Sequence, residues 1–182
     1  MRISGITIDS SKNITGVTNI VAEAIDPDYV IYSDQKTQGT SGGSNATGWN
    51  TGVLNTAQFE KNTSGSFSAL SSNQFSLIAG RYYIEAHVPV YRLSRAKSLL
   101  YNVSDSANVV VGVSTYALGD PGYGTVQAIT SLYGEIDISA TKTFEIRQYA
   151  ESVATTYGFG VEANVSGYQE IYTVVIIKRL GD

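Results

Sequence analysis

The chain has 182 residues, which is the length of one ordinary domain or of one domain with an extra arm, and this suffices to bury a core. It contains no cysteine, so disulfides, thiolate nucleophiles and cysteine-ligated zinc are excluded, and its one histidine, His87, excludes sites that need several histidines from one chain. The net charge of −4, with 15% of the residues charged, argues against nucleic acid as a partner. No apolar run is long enough to cross a membrane, so no membrane partner is expected.

The composition favours an all-β protein. Val (17), Ile (16), Thr (17) and Tyr (13) are abundant, whereas Leu (9) and Met (1) are scarce. β-Branched and aromatic side chains pack well on a pleated sheet, while Leu and Met favour helices. The 18 glycines and 21 serines supply turns and loops between strands.

The first 25 residues differ from the rest, and we predict that residues 1–25 form an N-terminal β arm. Short apolar positions are separated by Gly, Ser, Thr and Asn, which is typical of small strands that cannot build a core alone. Such an arm needs a partner (its own domain, sister chains or a larger body), and the alternative is a frayed terminus. The predicted anchoring residues are Ile3, Ile6, Ile8, Ile14, Val17 and Ile20. Asp26-Pro27-Asp28 indicates a hinge before a head domain of residues 26–182.

Short strands follow one another through the head. Residues 81–92 form the clearest one, because the even positions from Tyr82 to Val90 are apolar and the odd positions include Glu85 and His87. Pro89 lies late in this strand and predicts a sheet edge or a bulge there. The other predicted strands begin at or near residues 29, 53, 59, 67, 75, 99, 109, 126, 144 and 170.

The last predicted strand, residues 170–179, is apolar on both faces. By strict alternation Tyr172, Val174 and Ile176 face one way, and the remaining apolar positions face the other. An antiparallel sandwich normally exposes one face of each sheet to water, so this strand needs a cover on its outer face. We expect a second subunit there, and a covering loop of the same chain is the alternative.

Signals for catalysis and for cofactors are weak, and we predict a protein that is not an enzyme and binds no cofactor or metal. Residues 39–43 match Gly-x-Ser-x-Gly, but a polar loop flanks this pattern where a nucleophile elbow needs a strand and a helix. His87 is the only base available to it, and its simpler role is a hydrogen-bonded or interface histidine. The pairs Asp26 with Asp28 and Asp105 with Asp120 lack the spacing of a calcium loop.

Tyrosines near predicted loops are the one feature typical of a binding surface. An amphipathic tyrosine ring suits sugars or protein partners, and the alternative is that these rings pack under their own loops. The predicted ligand-contacting residues are Tyr116, Tyr123, Tyr157 and Tyr168.

Residues 29–179 resemble the jelly roll of the complement first-component globular head and of tumour necrosis factor. The version found in virion proteins of tailed phages, notably those of cyanobacteria, is the most similar. The motifs that carry the resemblance are residues 29–36, Gly48-Trp49-Asn50-Thr51, residues 54–56, 75–84, 100–105 and 142–146, Gly158-Phe159-Gly160, and residues 171–178.

The resemblance implies a ten-strand, two-sheet antiparallel jelly roll that assembles as a homotrimer, with the sheet of the last strand lining the three-fold axis. This expectation agrees with the separate observation that residues 170–179 are apolar on both faces. The predicted trimer-interface residues are Ile171, Tyr172, Val174, Ile176, Tyr82 and Ile84.

The resemblance also implies a structural role on the outer surface of a tailed-phage virion, after assembly in the host cytoplasm. We expect a capsid decoration, either a cement protein or a short head fibre, whose arm binds the major capsid protein or a tail or baseplate component. The alternative is a tail-fibre tip that recognises a host-surface glycan or protein, and an enzyme acting on glycans is the least favoured reading. The chain lacks the cysteines and the collagen stalk of the animal proteins, so no immune or signalling role is carried over.

Overall fold

The computed structural model describes residues 7–8, 14–15, 27–120 and 124–181. All regular elements in these ranges are β-strands, and no helix there could span a membrane. The strands are β1 (Thr7–Ile8), β2 (Ile14–Thr15), β3 (Tyr29–Lys36), β4 (Gly48–Thr51), β5 (Thr56–Lys61), β6 (Gln74–Leu77), β7 (Gly80–Tyr91), β8 (Ser94–Asn102), β9 (Ala107–Ala117), β10 (Gly119–Asp120), β11 (Gly124–Thr125), β12 (Gln127–Ile138), β13 (Lys142–Ala150) and β14 (Glu170–Gly181).

Two antiparallel sheets form the head. The first sheet has the order β12-β7-β14-β3-β5, and the second has the order β4-β13-β8-β9, with β6 also paired to β13. Strands β10 and β11 pair only with each other. The predicted all-β, two-sheet antiparallel architecture is confirmed.

The core lies between the two sheets and uses the alternation that the sequence predicted. In β7 the side chains from Tyr82 to Val90 at even positions are fully buried, while Arg81 and His87 point outward. Phe75 and Phe144 stack in the centre with ring centroids 6.0 Å apart. Burying one large apolar side chain contributes about 1.5–3 kcal/mol, so this interior supplies the main stabilising term.

Pro89 is tolerated because β7 has an open side at that point. Strand β7 pairs with β12 along its whole length, but it pairs with β14 only from Arg81 to His87. The Pro89 carbonyl accepts a hydrogen bond from Gln148 Nε2 at 3.2 Å instead of a ladder bond. The missing N–H of proline therefore costs the sheet nothing, and the predicted local edge is confirmed.

The structure contradicts the assignment of Tyr82 and Ile84 to a trimer interface. Both side chains are fully buried in the core of their own sandwich, and the Tyr82 hydroxyl donates to the Ile78 carbonyl at 3.0 Å. They lie on the face of β7 that meets the second sheet, because the period of two places them on the side opposite Glu85 and His87. They pack the core and are not available to another subunit.

Tyr172 is a second correction, and its cause is a β-bulge. The pairing of β14 with β3 shifts between Ile171 and Val174, so that Tyr172 and Thr173 both lie opposite Asp34. The extra residue turns Tyr172 to the inner face, where it is buried and its hydroxyl donates to the Thr40 carbonyl at 2.7 Å. Strict alternation placed it with Val174, which is wrong because the bulge reverses the alternation.

The N-terminal segment is described only at β1 and β2. These strands pair antiparallel, with Thr7 opposite Thr15 and Ile8 opposite Ile14, as expected for small strands. The boundary between arm and head and the anchoring role stay predictions. The other predicted anchoring residues, Ile3, Ile6, Val17 and Ile20, lie outside the described residues.

Candidate functional site

The outer face of the first sheet carries an apolar surface at its centre. The ladder aligns Phe59, Ile31 and Ile176 in one row, and Val174 lies two positions along β14 from Ile176. Ile31, Val174 and Ile176 are partly buried by their neighbours, whereas Phe59 is 48% exposed. With the half-exposed Ile171 these residues form what we call the apolar face: Ile31, Phe59, Ile171, Val174 and Ile176.

A second apolar surface lies on β9, the last strand of the second sheet. Alternate side chains Val109, Val111 and Val113 point to solvent, and Val111 is 61% exposed. Tyr133 of β12 is 62% exposed and lines a shallow depression together with Val111 and Val113. We call these four residues the valine edge: Val109, Val111, Val113 and Tyr133. The sequence predicted a strand here but not its outward valines, although their spacing of two was a usable signal.

Gly112 lets β9 approach β12 closely beneath the valine edge. A Cβ atom at this position would lie 2.1 Å from Ser98 Oγ and 2.8 Å from the Ser131 carbonyl oxygen. The buried Thr130 hydroxyl bridges the two sheets, since it donates to the Val113 carbonyl at 2.6 Å and accepts from the Ser98 amide at 3.0 Å. The valine edge is therefore held rigidly against the first sheet.

A chain of polar side chains crosses the outer face beside the apolar residues. His87 Nε2 lies 2.9 Å from Glu85 Oε1, and His87 Nδ1 lies 3.1 Å from Ser131 Oγ. The Tyr83 hydroxyl donates to Glu85 Oε2 at 3.2 Å, and burial and this bond raise the pKa of Tyr83. The prediction of a hydrogen-bonded histidine is confirmed.

The order Ser131–His87–Glu85 has the connectivity of a catalytic triad but lacks the rest of a hydrolase site. A nucleophilic serine needs free N–H donors beside it to stabilise an oxyanion. Ser131 instead lies in the middle of β12, where residues 127–138 pair with β7 without interruption. The surrounding backbone belongs to a regular ladder, and the serine is not on a sharp turn. The arrangement suits a self-satisfied polar network on a sheet face.

The predicted loop tyrosines do not form one surface. Tyr116 lies near the end of β9 and is exposed, whereas Tyr157 is half-buried and packs edge-on against Tyr91 at 5.9 Å. Tyr168 is 71% exposed at a loop tip, beside the exposed Val165. Tyr123 lies outside the described residues. Their role as ligand contacts stays a prediction.

The carboxylates considered for calcium are engaged within the chain where the structure describes them. Asp28 accepts hydrogen bonds from the amides of Thr63 and Ser64 and from the Ser66 hydroxyl, at 2.7–2.9 Å. Asp105 accepts from Lys142 Nζ at 2.6 Å, which is the main cause of its lowered pKa. Within the described ranges, no group of three His, Asp or Glu side chains could hold a metal ion.

Asp28 and Asp34, on opposite sides of the Ile31 position, have pKa values shifted in opposite directions. Burial alone would raise the pKa of Asp28, but the bonds from Ser66, Ser64 and Thr63 outweigh it and lower the pKa. Asp34 is also buried, and burial raises its pKa although Lys36 Nζ lies 3.6 Å away. A loop clamp thus stabilises the charged form of the first aspartate, whereas the sheet interior disfavours the charge of the second.

Glu170 ties two loops to the start of β14. Its carboxylate accepts from the amides of Ala163, Asn164 and Gly39 at 2.8–3.1 Å, and the amide of Ala163, followed by that of Gly39, lowers its pKa. Because β14 supplies three residues of the apolar face, this clamp helps to fix that surface.

The head is similar in structure to known proteins. It has the jelly-roll fold of complement C1q-type and tumour-necrosis-factor-like domains. The globular domain of a zebrafish complement 1qA protein matches with a TM-score of 0.50 and 11% sequence identity, over 85% of this chain and 96% of that one. Murine APRIL, in a crystal structure at pH 5.0, matches with a TM-score of 0.54 and 5% identity, over 85% of this chain and 100% of the chain in that structure. Identities this low show the fold alone.

No protein-family model matches the chain, and no curated protein sequence matches it.

Proposed function

We propose that this chain is a non-enzymatic protein that assembles as a homotrimer, with the valine edge of one subunit seated on the apolar face of the next. The observation that carries the proposal is the presence of these two exposed apolar surfaces on one head, with Glu85 of β7 between Ile176 of the first and Tyr133 of the second. Contiguous exposed apolar patches on a soluble protein mark interaction sites, and an apolar edge strand in particular needs a cover.

The two surfaces differ in position and shape, so they predict a heterologous contact. The apolar face is the broad side of a sheet, whereas the valine edge is the rim where β9 meets β12. A contact between two different surfaces of identical subunits closes into a ring when the rotation allows it. The resemblance of residues 29–179 to trimeric jelly rolls favours a ring of three.

The polar chain on the outer face is compatible with this burial. Glu85, His87 and Ser131 already satisfy one another's hydrogen bonds, so covering them leaves few unpaired polar atoms. The contact then combines apolar packing from Ile176 and Val174 with a preformed polar network, which is typical of stable interfaces.

The oligomeric state of charge variants tests the assembly. Val111→Asp and Ile176→Asp each place a charge in one surface, and both should yield monomers by light scattering after size-exclusion chromatography, because an unpaired buried charge costs several kcal/mol. Val153→Asp, at another exposed valine, is the matched control and should stay trimeric. Circular dichroism checks that all three variants keep their strands. Folded trimers from both interface variants would sink the proposal.

Engineered cysteines test the geometry, because the natural chain has none. In the double variant Val111→Cys/Ile176→Cys, oxidation should link three subunits covalently, visible by non-reducing electrophoresis. Each single variant should stay uncrosslinked, because a heterologous contact does not bring two copies of one position together. Covalent dimers from a single variant would instead indicate a contact between two copies of the same surface.

We further propose that the trimer is a capsid decoration on the outer surface of a tailed-phage virion, attached through residues 1–25. Two observations support this role: the resemblance to virion jelly rolls, and the pairing of Ile8 with Ile14 in strands too short to build a core. Deletion of residues 1–25 should abolish binding to purified capsids while the head stays trimeric. Unchanged capsid binding would contradict it.

The alternative is a tail-fibre tip that recognises a host-surface glycan or protein. The exposed Tyr168 and Val165 at a loop tip favour this reading. It predicts that purified trimers bind host cells or cell-wall material and that Tyr168→Ala weakens this binding. Trimers that bind capsids but no host surface would eliminate it.

A further inference from the structure

On strands β4, β13 and β8, the outer face of the second sheet has a chemistry that differs from that of both apolar surfaces. Its ladder aligns Trp49 of β4, Tyr149 of β13 and Lys97 of β8 in one row across three neighbouring strands. Neighbouring strands lie about 5 Å apart, so this row is about 10 Å long. Trp49, the only tryptophan of the chain, is 48% exposed.

Trp49 and Tyr149 support each other as a fixed aromatic surface. Their ring centroids are 5.5 Å apart in an edge-to-face arrangement, which aromatic pairs favour. Strand β4 pairs with β13 at four positions and includes Trp49 itself, so the backbone under the indole ring is held in the sheet. A tryptophan that only filled the core would lie between the sheets, whereas this one stands on the outside.

Arg147 lies on the same face, in the next row of the ladder from Tyr149. Contacts within the chain hold its guanidinium in place before any ligand binds. Its guanidinium stacks 3.3 Å from the Tyr101 ring centroid, and its Nε donates to Glu145 Oε1 at 2.6 Å. Glu145 is in turn nearly buried and accepts a bond from Gln74 Nε2 at 2.9 Å. The stacked arginine keeps its two terminal nitrogens for a ligand, since within the described ranges only its Nε is bonded.

Lys97 completes the row with a positive charge. It points outward between Tyr149 and Ser114 and makes no ion pair or hydrogen bond with the part of the chain that the structure describes. Arg147 is matched by Glu145, and the more distant Arg95 is matched by Glu151. The surplus of one positive charge on this face is notable in a chain with a net charge of −4.

We propose that this face, defined by Trp49, Tyr149, Lys97 and Arg147, binds an anionic saccharide. The two rings offer apolar surface for the C–H face of a sugar ring, with the indole N–H and phenol O–H as polar partners. Lys97 and the terminal nitrogens of Arg147 pair with a carboxylate or sulfate on the same or the next sugar. A neutral sugar would leave the lysine unmatched, which is why the anionic class is favoured.

The site does not depend on the proposed subunit contact. It shares the second sheet with the valine edge, but Leu99 of β8 lies between Arg147 and Val111 in their common row. Trp49 and Tyr149 lie on β4 and β13, with β8 between them and β9, so a subunit seated on the valine edge leaves the two rings open. Each subunit then carries one copy. The monomeric Ile176→Asp variant should therefore bind with the same affinity per subunit as the wild type.

The single tryptophan makes the test specific to this site. Titration of the wild-type protein with dextran sulfate or with polygalacturonate should change the Trp49 fluorescence in a saturable way, and neutral dextran should not. By calorimetry with the polymer that binds, Trp49→Ala should weaken binding at least about tenfold, and Lys97→Gln several-fold with a reduced salt dependence. Ile129→Ala, at an exposed apolar residue of the first sheet, is the control and should bind as the wild type does.

Three results would overturn the proposal. The first is that neither anionic polymer binds, and the second is that Trp49→Ala binds as tightly as the Ile129→Ala control. The third is tighter binding of an oligothymidylate than of either polysaccharide, which would indicate a single-stranded nucleic acid on the same aromatic and basic surface. Equal binding of dextran and dextran sulfate would show that Lys97 does not pair with the anionic group of the sugar.

Discussion

The outer faces of the two sheets differ in chemistry although both belong to one sandwich. The first sheet presents aliphatic side chains around Ile176 and a polar network whose members bond to one another. The second presents Trp49, Tyr149 and Lys97, and this lysine has no ion-pair partner among the described residues. Contacts between aliphatic side chains are non-directional, so an aliphatic surface suits a large contact with another protein. Exposed aromatic rings beside a cation suit a smaller polar ligand. This difference is the reason why we propose the apolar face for assembly and the row of Trp49, Tyr149 and Lys97 for recognition.

The largest expected effect is the difference in folding between charge substitutions on the two faces of β14. Ile177 is fully buried in the core, while its neighbour Ile176 lies on the apolar face. Ile177→Asp should prevent folding, because an unpaired buried charge costs several kcal/mol, a large part of a domain's total stability. Circular dichroism and solubility measure this. If Ile177→Asp folds as well as Ile176→Asp, the assignment of the two faces of β14 is wrong.

Gly112→Ala should lower stability by about 1–3 kcal/mol and also weaken assembly, because its new methyl group overlaps Ser98 and the Ser131 carbonyl and pushes β9 away from β12. Denaturant unfolding measures the first effect and light scattering the second. Ser114→Ala, an exposed position on the same strand, is the control and should change neither. A stable trimer of the glycine variant would show that the valine edge tolerates displacement.

Asp28→Asn should cost about 1–3 kcal/mol at neutral pH, because it weakens a carboxylate clamp on residues 63–66 beside β3, the strand that carries Ile31. The pKa of Asp28 is lowered in the folded state, so its contribution is present above the unfolded value of about 3.9 and is lost as the pH falls through the folded value. Denaturant midpoints at pH 7 and pH 3 should differ less for the variant than for the wild type. An identical pH dependence would contradict the clamp.

Asp34→Asn should have a smaller effect of the opposite sign. The pKa of Asp34 is raised by burial, so its charge destabilises the fold once the pH rises above the unfolded value and through the folded one. Asparagine removes that charge and keeps an acceptor for Asn55 Nδ2, now 3.3 Å away. Unfolding midpoints at pH 7 should be unchanged or slightly higher than in the wild type. A large loss of stability would show that the Lys36 ion pair outweighs burial.

The smallest expected effect is that of Trp49→Ala on stability and assembly. The side chain is half exposed on the second sheet's outer face, so its loss should leave the thermal midpoint within a few degrees of the wild type and the trimer mass unchanged. Differential scanning fluorimetry and light scattering measure both. Dissociation of this variant would show that the row of Trp49, Tyr149 and Lys97 also contributes to assembly.

Sequence reasoning succeeded where a strand alternates regularly and failed where the alternation is interrupted. In β7 the even positions are buried as predicted, but the same residues, Tyr82 and Ile84, were assigned to an interface because an apolar face does not reveal which neighbour covers it. In β14 one extra residue at the bulge turned Tyr172 inward. No local signal marks that bulge, since it depends on the pairing with Asp34 across the sheet.

The candidate surfaces were also predicted only in part from the sequence. Ile171, Val174 and Ile176 were selected from sequence, and the structure places them on the outer face of one sheet. The outward valines of β9 and the row of Trp49, Tyr149 and Lys97 were not selected. Trp49 and Tyr149 are far apart in the chain, and only the register of β4 on β13 makes them neighbours.

The sequence by itself determined the class of this protein. Its surplus of β-branched residues, its turn-rich spacing and its lack of cysteine are local properties, and they suffice for an all-β sandwich. The tertiary structure decided which apolar residues fill the core and which remain outside. That choice depends on long-range register, which a period of two leaves open: one inserted residue in β14 exchanges the two faces beyond it.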